Sequence, residues 1–230
     1  MNNALRELQF KATEKAGNVS ALLLQPRAAH TLLVFGHGAG AGMRHPFMQT
    51  MADLLAIRGV ATFRYQFPYM QKGKKRPDSR ATLLDTICSA VEIATKTVGG
   101  LPILAGGKSM GGRMTSLVAA EGLIPQVKGL VFFGFPLHSA GKPSSDRGEH
   151  LAKVKVPMLF MQGTRDTLGE LDLIRPLCRR LEKQATLHIV EGGDHSFHVL
   201  KRSGRTDEEV YDELAGTVEQ WINPHRKKIG

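Results

Sequence analysis

No stretch of this 230-residue chain approaches the roughly 20 consecutive apolar residues that a membrane-spanning helix needs. Cysteine is also scarce. Cys88 and Cys178 are the only two, and both fall in segments that read as helices. They match no metal-ligand spacing and provide no disulfide framework, so free, buried or half-buried thiols in a reducing compartment are expected. The N-terminal stretch offers no secretory signal: its apolar run, Ala21 to Leu24, is too short, and acidic residues precede it. These shortages together predict a cytoplasmic protein with no membrane partner.

Basic residues outnumber acidic ones, for a formal net charge of +10. The densest clusters are Lys72-Gly73-Lys74-Lys75-Arg76, in a polar loop, and Arg226-Lys227-Lys228 near the C-terminus. Neither is interleaved with stacking aromatics or lies in a nucleic-acid-binding motif. They read as solvated faces, with nonspecific attraction to polyanions or anionic substrates as the secondary reading. No specific nucleic-acid partner is expected. The glycine-dense run His37-Gly38-Ala39-Gly40-Ala41-Gly42 lacks the lysine and Ser/Thr of a phosphate cradle and the spacing of a dinucleotide loop. No cofactor and no metal is implied.

What the chain does contain is an alternation of short apolar runs with amphipathic segments, and its length suits one domain, residues 1–230. Leu5–Ala12 and Val19–Gln25 read as an opening pair of strands, with a hairpin around Ala16-Gly17-Asn18 as the expected link. Thr31–Phe35, Val60–Tyr65, Leu101–Ala105, Val127–Phe133, Val156–Met161 and Thr186–Val190 read as further strands. Helical spacing marks Pro46–Arg58, the segment carrying Leu83, Ile87 and Val91, Met110–Ala120, Leu171–Leu181, and Thr206–Trp221, with Pro224 as the stop. Continuous apolar strands separated by helices predict a mostly parallel sheet covered on both faces. The polar insertion from Gly134 to Leu151 is long enough for a small flap and too short for a full cap.

The chemistry concentrates in Gly107-Lys108-Ser109-Met110-Gly111, a G-x-S-x-G directly after a strand and directly before a helix. Such a turn strains the serine backbone and holds its oxygen clear of the sheet, and small neighbours avoid collision with adjacent backbone. A serine hydroxyl needs a base within hydrogen-bond reach. His195, in the glycine-containing loop after Thr186–Val190, is the candidate, with His198 as its rival. Asp166, in the loop after Val156–Met161, is the candidate to orient the imidazole. It also reads as a helix N-cap, and Asp194 ranks second for the orienting role. The backbone amides of Met110 and Ala39 are the expected oxyanion donors, with Gly40 as the alternative to Ala39. His37 reads as a brace for that loop, and Lys108 as a side chain paired with a nearby carboxylate. Met43, Tyr65 and Met70, together with Phe47, Phe67 and Met110, are candidates to line an apolar substrate pocket, though each also suits a core position.

The ordered set Ser109, Asp166, His195, each after a strand, resembles the α/β-hydrolase fold over essentially the whole chain. Within it, HGAGAG, FRYQFPYM, GGKSMGGR and FPLHSAGKP are similar to the bacterial dienelactone-hydrolase-like group. That group also includes a subunit of the eukaryotic NSL histone-acetyltransferase complex and a testis-expressed relative. The resemblance implies an eight-stranded, mostly parallel sheet without a full cap domain, and a triad of Ser109, Asp166 and His195. Dienelactone hydrolases use a cysteine nucleophile, so their substrate does not carry over to a chain with serine there. Two functions stay open: a serine hydrolase acting on a small-molecule carboxylic ester or thioester, and a non-catalytic interaction module that keeps the fold.

Overall fold

The computed structural model describes residues 4–229, with side chains over 5–223. Its strands are β1 (Ala4–Thr13), β2 (Gly17–Gln25), β3 (Thr31–Gly36), β4 (Val60–Tyr65), β5 (Ile103–Lys108), β6 (Val127–Phe133), β7 (Met158–Gly163) and β8 (Ala185–Val190). Its helices are α1 (Pro46–Ile57), α2 (Pro68–Gln71), α3 (Arg80–Val98), α4 (Met110–Ala120), α5 (Leu171–Leu181) and α6 (Asp207–Ile229), with a 3₁₀ segment at Asp146–Lys153. The strands form one eight-stranded sheet in the order β1-β2-β4-β3-β5-β6-β7-β8. β2 runs antiparallel to β1 and β4, and the pairings from β4 through β8 are parallel. This is the α/β-hydrolase fold with no large cap domain among the described residues.

The continuous apolar runs have a direct cause. Along β6, Leu130 and Phe132 enter one core while Val131 and Phe133 enter the other, and β7 divides the same way between Met158, Phe160 and Leu159, Met161. A parallel strand covered on both sides has no solvent face on which to place polar residues. The first core is closed by α3, α4 and α5 through Ile87, Val91, Met114, Leu117, Ile174 and Leu177. The second is closed by α1 and α6 through Met51, Leu55, Val210, Leu214 and Val218. Cys88 is half-buried in α3, Cys178 is buried in α5, and both are free thiols.

Chain order reverses at β3. From there the chain passes to β4 on one side and later to β5 on the other. Loops leaving adjacent strands in opposite directions open a crevice at their carboxyl ends, where α/β sheets bind ligands. The ends of β3 and β5 meet there, with Gly36 opposite Gly107.

Several boundaries differ from the sequence reading. β5 extends to Lys108 rather than stopping at Ala105. Its glycines look like a turn but pair with β3 and β6 on both sides. At Gly107 a Cβ would lie 2.2 Å from the Gly36 carbonyl oxygen, and at Gly111 one would lie 2.4 Å from the same atom. Glycine here serves close approach of backbones. The last helix continues through Pro224 to Ile229, since an internal proline removes one hydrogen bond and kinks a helix without having to end it. The segment after Gly134 is tied down. Phe135 and Leu137 donate their amides to Gln162 Oε1 and the Leu168 carbonyl at 2.9 and 2.8 Å, and Leu151 is buried.

Candidate active site

Ser109 occupies the turn between β5 and α4 with φ 49° and ψ −115°, a conformation that side-chain-bearing residues rarely adopt. Its amide is anchored on the Phe133 carbonyl at 3.1 Å and its carbonyl accepts from Arg113 at 3.0 Å. The hydroxyl lies 2.8 Å from His195 Nε2, and His195 Nδ1 lies 2.8 Å from Asp166 Oδ2. A carboxylate only accepts, so Nδ1 carries the proton toward Asp166 and Nε2 is left to accept from Ser109. Residues 86 positions apart are thereby joined.

Asp166 is 2% exposed and each of its oxygens is used. Oδ2 also accepts from Gln162 Nε2 at 2.7 Å, while Oδ1 accepts the Leu168 amide at 2.8 Å. Gln162, buried at the end of β7, has its amide nitrogen bound to Asp166 and the Gly169 carbonyl and its oxygen to the Phe135 amide. It cannot rotate without losing three bonds, so it fixes the carboxylate beneath the imidazole. Asp166 is not the N-cap of α5, since Glu170 holds that position.

The rival residues are committed elsewhere. His198 is exposed and its Nδ1 lies 2.8 Å from Asp207 at the start of α6; that hydrogen bond raises its pKa. Asp194 accepts the amides of Ser196 and His198 at 2.7 and 2.9 Å, closing the turn that carries His195.

Two backbone amides are the candidates to serve the serine. Met110 is the first residue of α4, where helix N–H groups have no internal partner and the helix dipole favours negative charge. Ala39 lines the cavity with Ser109. Neither amide is hydrogen-bonded among the described residues. The Gly40 amide is taken by the Tyr69 hydroxyl at 3.0 Å, which removes Gly40 as a donor toward Ser109.

The glycine-rich loop is held by the segment after β4. His37 is fully buried. Its Nδ1 donates to the Gly38 carbonyl at 2.7 Å, and its Nε2 accepts the Phe67 amide at 3.2 Å. Burial pushes its pKa down to about 4, against the opposing pull of the Gly38 carbonyl, so the imidazole is neutral and acts as a brace. Gln66 Oε1 accepts the Met43 amide at 2.8 Å. Gln66 and Tyr69 were legible only as part of a short polar-aromatic run, and their role depends on α2 folding beneath the loop.

A cavity of about 440 Å³ opens over Ser109 and His195, walled by Ala41, Pro46, Phe47, Met48, Leu168 and Tyr211. Among the expected pocket residues, Phe47 is on this wall. Tyr65 is not: it is fully buried against Phe10 and Phe67 on the opposite face of β4. Met43 and Met70 border a different cavity with Arg44 and Gln66. Strand parity explains Tyr65, whose side chain points with Phe63 into the first core. Gly42, at φ 74°, turns Met43 away from the serine. Phe67 is buried in the first core. Lys108, expected to pair with a carboxylate, instead donates to the His195 carbonyl at 2.5 Å.

A strained serine at a strand-to-helix turn, a histidine and a buried carboxylate at the switch point of an open sheet define an α/β-hydrolase type of protein. Residues 29–223 match the model of the family described as alpha/beta hydrolase domain, and the chain belongs to that family. Among solved structures it is similar to a dienelactone hydrolase from Anabaena variabilis, with TM-score 0.74, 20% identity, and 95% of this chain and 97% of that one covered. An α/β serine hydrolase without lid from Xanthomonas campestris gives TM-score 0.73, 19% identity and 96% coverage of each chain. Est1E from Butyrivibrio proteoclasticus, with ferulic acid bound, gives TM-score 0.71, 18% identity, and 90% and 96% coverage.

Proposed function

We propose that this protein is a serine hydrolase that cleaves small carboxylic esters or thioesters through an acyl-enzyme intermediate. The observation that carries the reading is the unbroken chain from Ser109 Oγ through the His195 ring to Asp166, with both links at 2.8 Å. In the first half-reaction Ser109 Oγ attacks the acyl carbon while His195 Nε2 takes its proton. Asp166 stabilises the imidazolium without itself taking the proton. The tetrahedral oxyanion is met by the amides of Met110 and Ala39. Collapse expels the alcohol or thiol, which receives the proton from His195. Water then attacks the acyl-serine with His195 again as base, releasing the acid and restoring the hydroxyl.

The cavity volume and its mainly apolar wall suit a short acyl or aryl group, and with no large cap among the described residues the leaving-group side is open. The ferulic acid held by the structurally similar Est1E is in keeping with small aromatic acids as candidates. A strained serine also argues against a purely scaffolding role, because such strain persists only where surrounding structure maintains it.

The test is fluorophosphonate labelling with mass-spectrometric mapping, run beside a panel of p-nitrophenyl esters and acyl thioesters of rising chain length. Labelling of Ser109 and turnover of short acyl chains are expected. No labelling of folded protein, alongside a reactive control esterase, sinks the enzyme reading and favours an interaction module.

A further inference from the structure

Lys108 stands beside the nucleophile, and the reaction just described gives it no step. Its ammonium donates to the main-chain carbonyl of His195 at 2.5 Å. It also lies over the rings of Phe197 and Phe47, 5.4 and 5.9 Å from their centroids, within the range where an aromatic face attracts a cation. The main chain leaves room for it. A Cβ at Gly134 would fall 3.1 Å from Nζ, 3.4 Å from the His195 carbonyl oxygen and 3.5 Å from Asp166 Oδ2.

The loop that carries His195 is closed on itself around Asp194, and Phe197 within it holds φ 66°, a strained value for an aromatic residue. Lys108 is the last residue of β5 and adjoins Ser109. A bond from its side chain to the His195 carbonyl therefore ties the base's loop to the strand that ends at the nucleophile.

We propose that Lys108 is a positioning residue: its ammonium grips the His195 carbonyl and so holds the imidazole against the Ser109 hydroxyl. The inference rests on the reading that Ser109 and His195 perform the chemistry. A charged donor makes a bond roughly twice as strong as a neutral one. The grip is therefore firm while the amine is protonated and slackens when it is not. The groups facing Nζ are the His195 carbonyl, the Phe47 and Phe197 rings, and the Asp166 and Asp194 carboxylates. Desolvation pushes the amine's pKa down to about 8, against the pull of the two carboxylates, which places the slackening just above neutrality.

The experiment compares wild type, K108M and K108R by ester hydrolysis from pH 6 to 10, melting temperature, and hydrogen–deuterium exchange of residues 191–198 at pH 7. K108M keeps the stem and loses the charge. Its kcat is expected to fall roughly 30-fold, as small misplacements of a catalytic group do, with KM little changed and the 191–198 amides exchanging faster. Wild type is expected to lose activity as pH rises through about 8, whereas K108R, always charged, keeps its activity there. Wild-type kcat and unchanged exchange in K108M overturn the proposal, as does an alkaline fall in K108R identical to that of wild type. K108R decides if K108M does not fold. If wild type neither labels nor turns over, the proposed function fails, and the exchange comparison still decides whether Lys108 holds the loop.

Discussion

The Tyr69 hydroxyl accepts a hydrogen bond from the Gly40 amide at 3.0 Å, so a side chain from α2 takes up one amide of the glycine-rich loop. With Gly40 committed, Ala39 is left beside Ser109. Tyr69→Phe removes only that oxygen. We expect it to lower kcat roughly tenfold by loosening an oxyanion donor, a smaller effect than deleting the donor itself, with KM nearly constant. Steady-state kinetics on a short p-nitrophenyl ester check this, and an unaltered kcat would show that the loop holds its shape without Tyr69.

The φ of 49° at Ser109 predicts opposite outcomes for activity and stability. Ser109→Ala should abolish ester hydrolysis and leave the melting temperature in place, because alanine meets the same strain. Ser109→Gly should also be inactive but more stable by roughly 1 kcal/mol, the relief of strain less the extra chain entropy of glycine. Denaturant titration of the three proteins measures it. A large loss of stability in the alanine variant would mean that the hydroxyl is mainly structural.

The two histidines of the last loop separate cleanly. His195→Ala should reduce kcat by at least ~10⁴-fold, the scale seen when a base of this type is removed. His198, bonded to Asp207 at the surface, should be replaceable by alanine with kcat unchanged. Burst kinetics of acylation read both variants, and the reverse pattern would reassign the base.

Acid should destabilise the fold before the carboxylates titrate. Burial lowers His37 to about 4, and burial together with Arg113 and Arg80 lowers His150 to about 4. In the unfolded chain both return to 6.5. Between those values the unfolded state binds more protons, so stability is full above about 6.5 and falls as pH drops toward about 4. For fully buried His37 the difference is of the order of 3 kcal/mol. His198, whose pKa is raised by Asp207, acts in the opposite sense at the surface. Urea midpoints at pH 7, 5.5 and 4.5 test the trend, and a flat profile across that window would contradict it.

The strand and helix alternation was legible because burial on both faces of a parallel sheet leaves a strong local signature, as in Val127–Phe133 and Met110–Ala120, whose bounds coincide with β6 and α4. Glycine hid a strand end where it served close approach: the strand expected to stop at Ala105 runs on through Gly106 and Gly107 to Lys108. The pocket wall was the least legible part. A Met or Tyr near the active loops looks the same in sequence whether it faces the cavity or the core. Strand parity sent Tyr65 inward, and the left-handed turn at Gly42 sent Met43 to a separate cavity.

By itself the sequence determined where the candidate chemistry lies, because Ser109 in a G-x-S-x-G at a strand-to-helix turn and later loops bearing Asp166 and His195 are local patterns. Only the tertiary structure decided which groups serve them. That the Phe135 amide locks Gln162, Tyr69 occupies Gly40 and Lys108 reaches the His195 carbonyl depends on contacts between segments far apart in the chain. Such contacts exist only after the sheet has brought the ends of its strands to one edge.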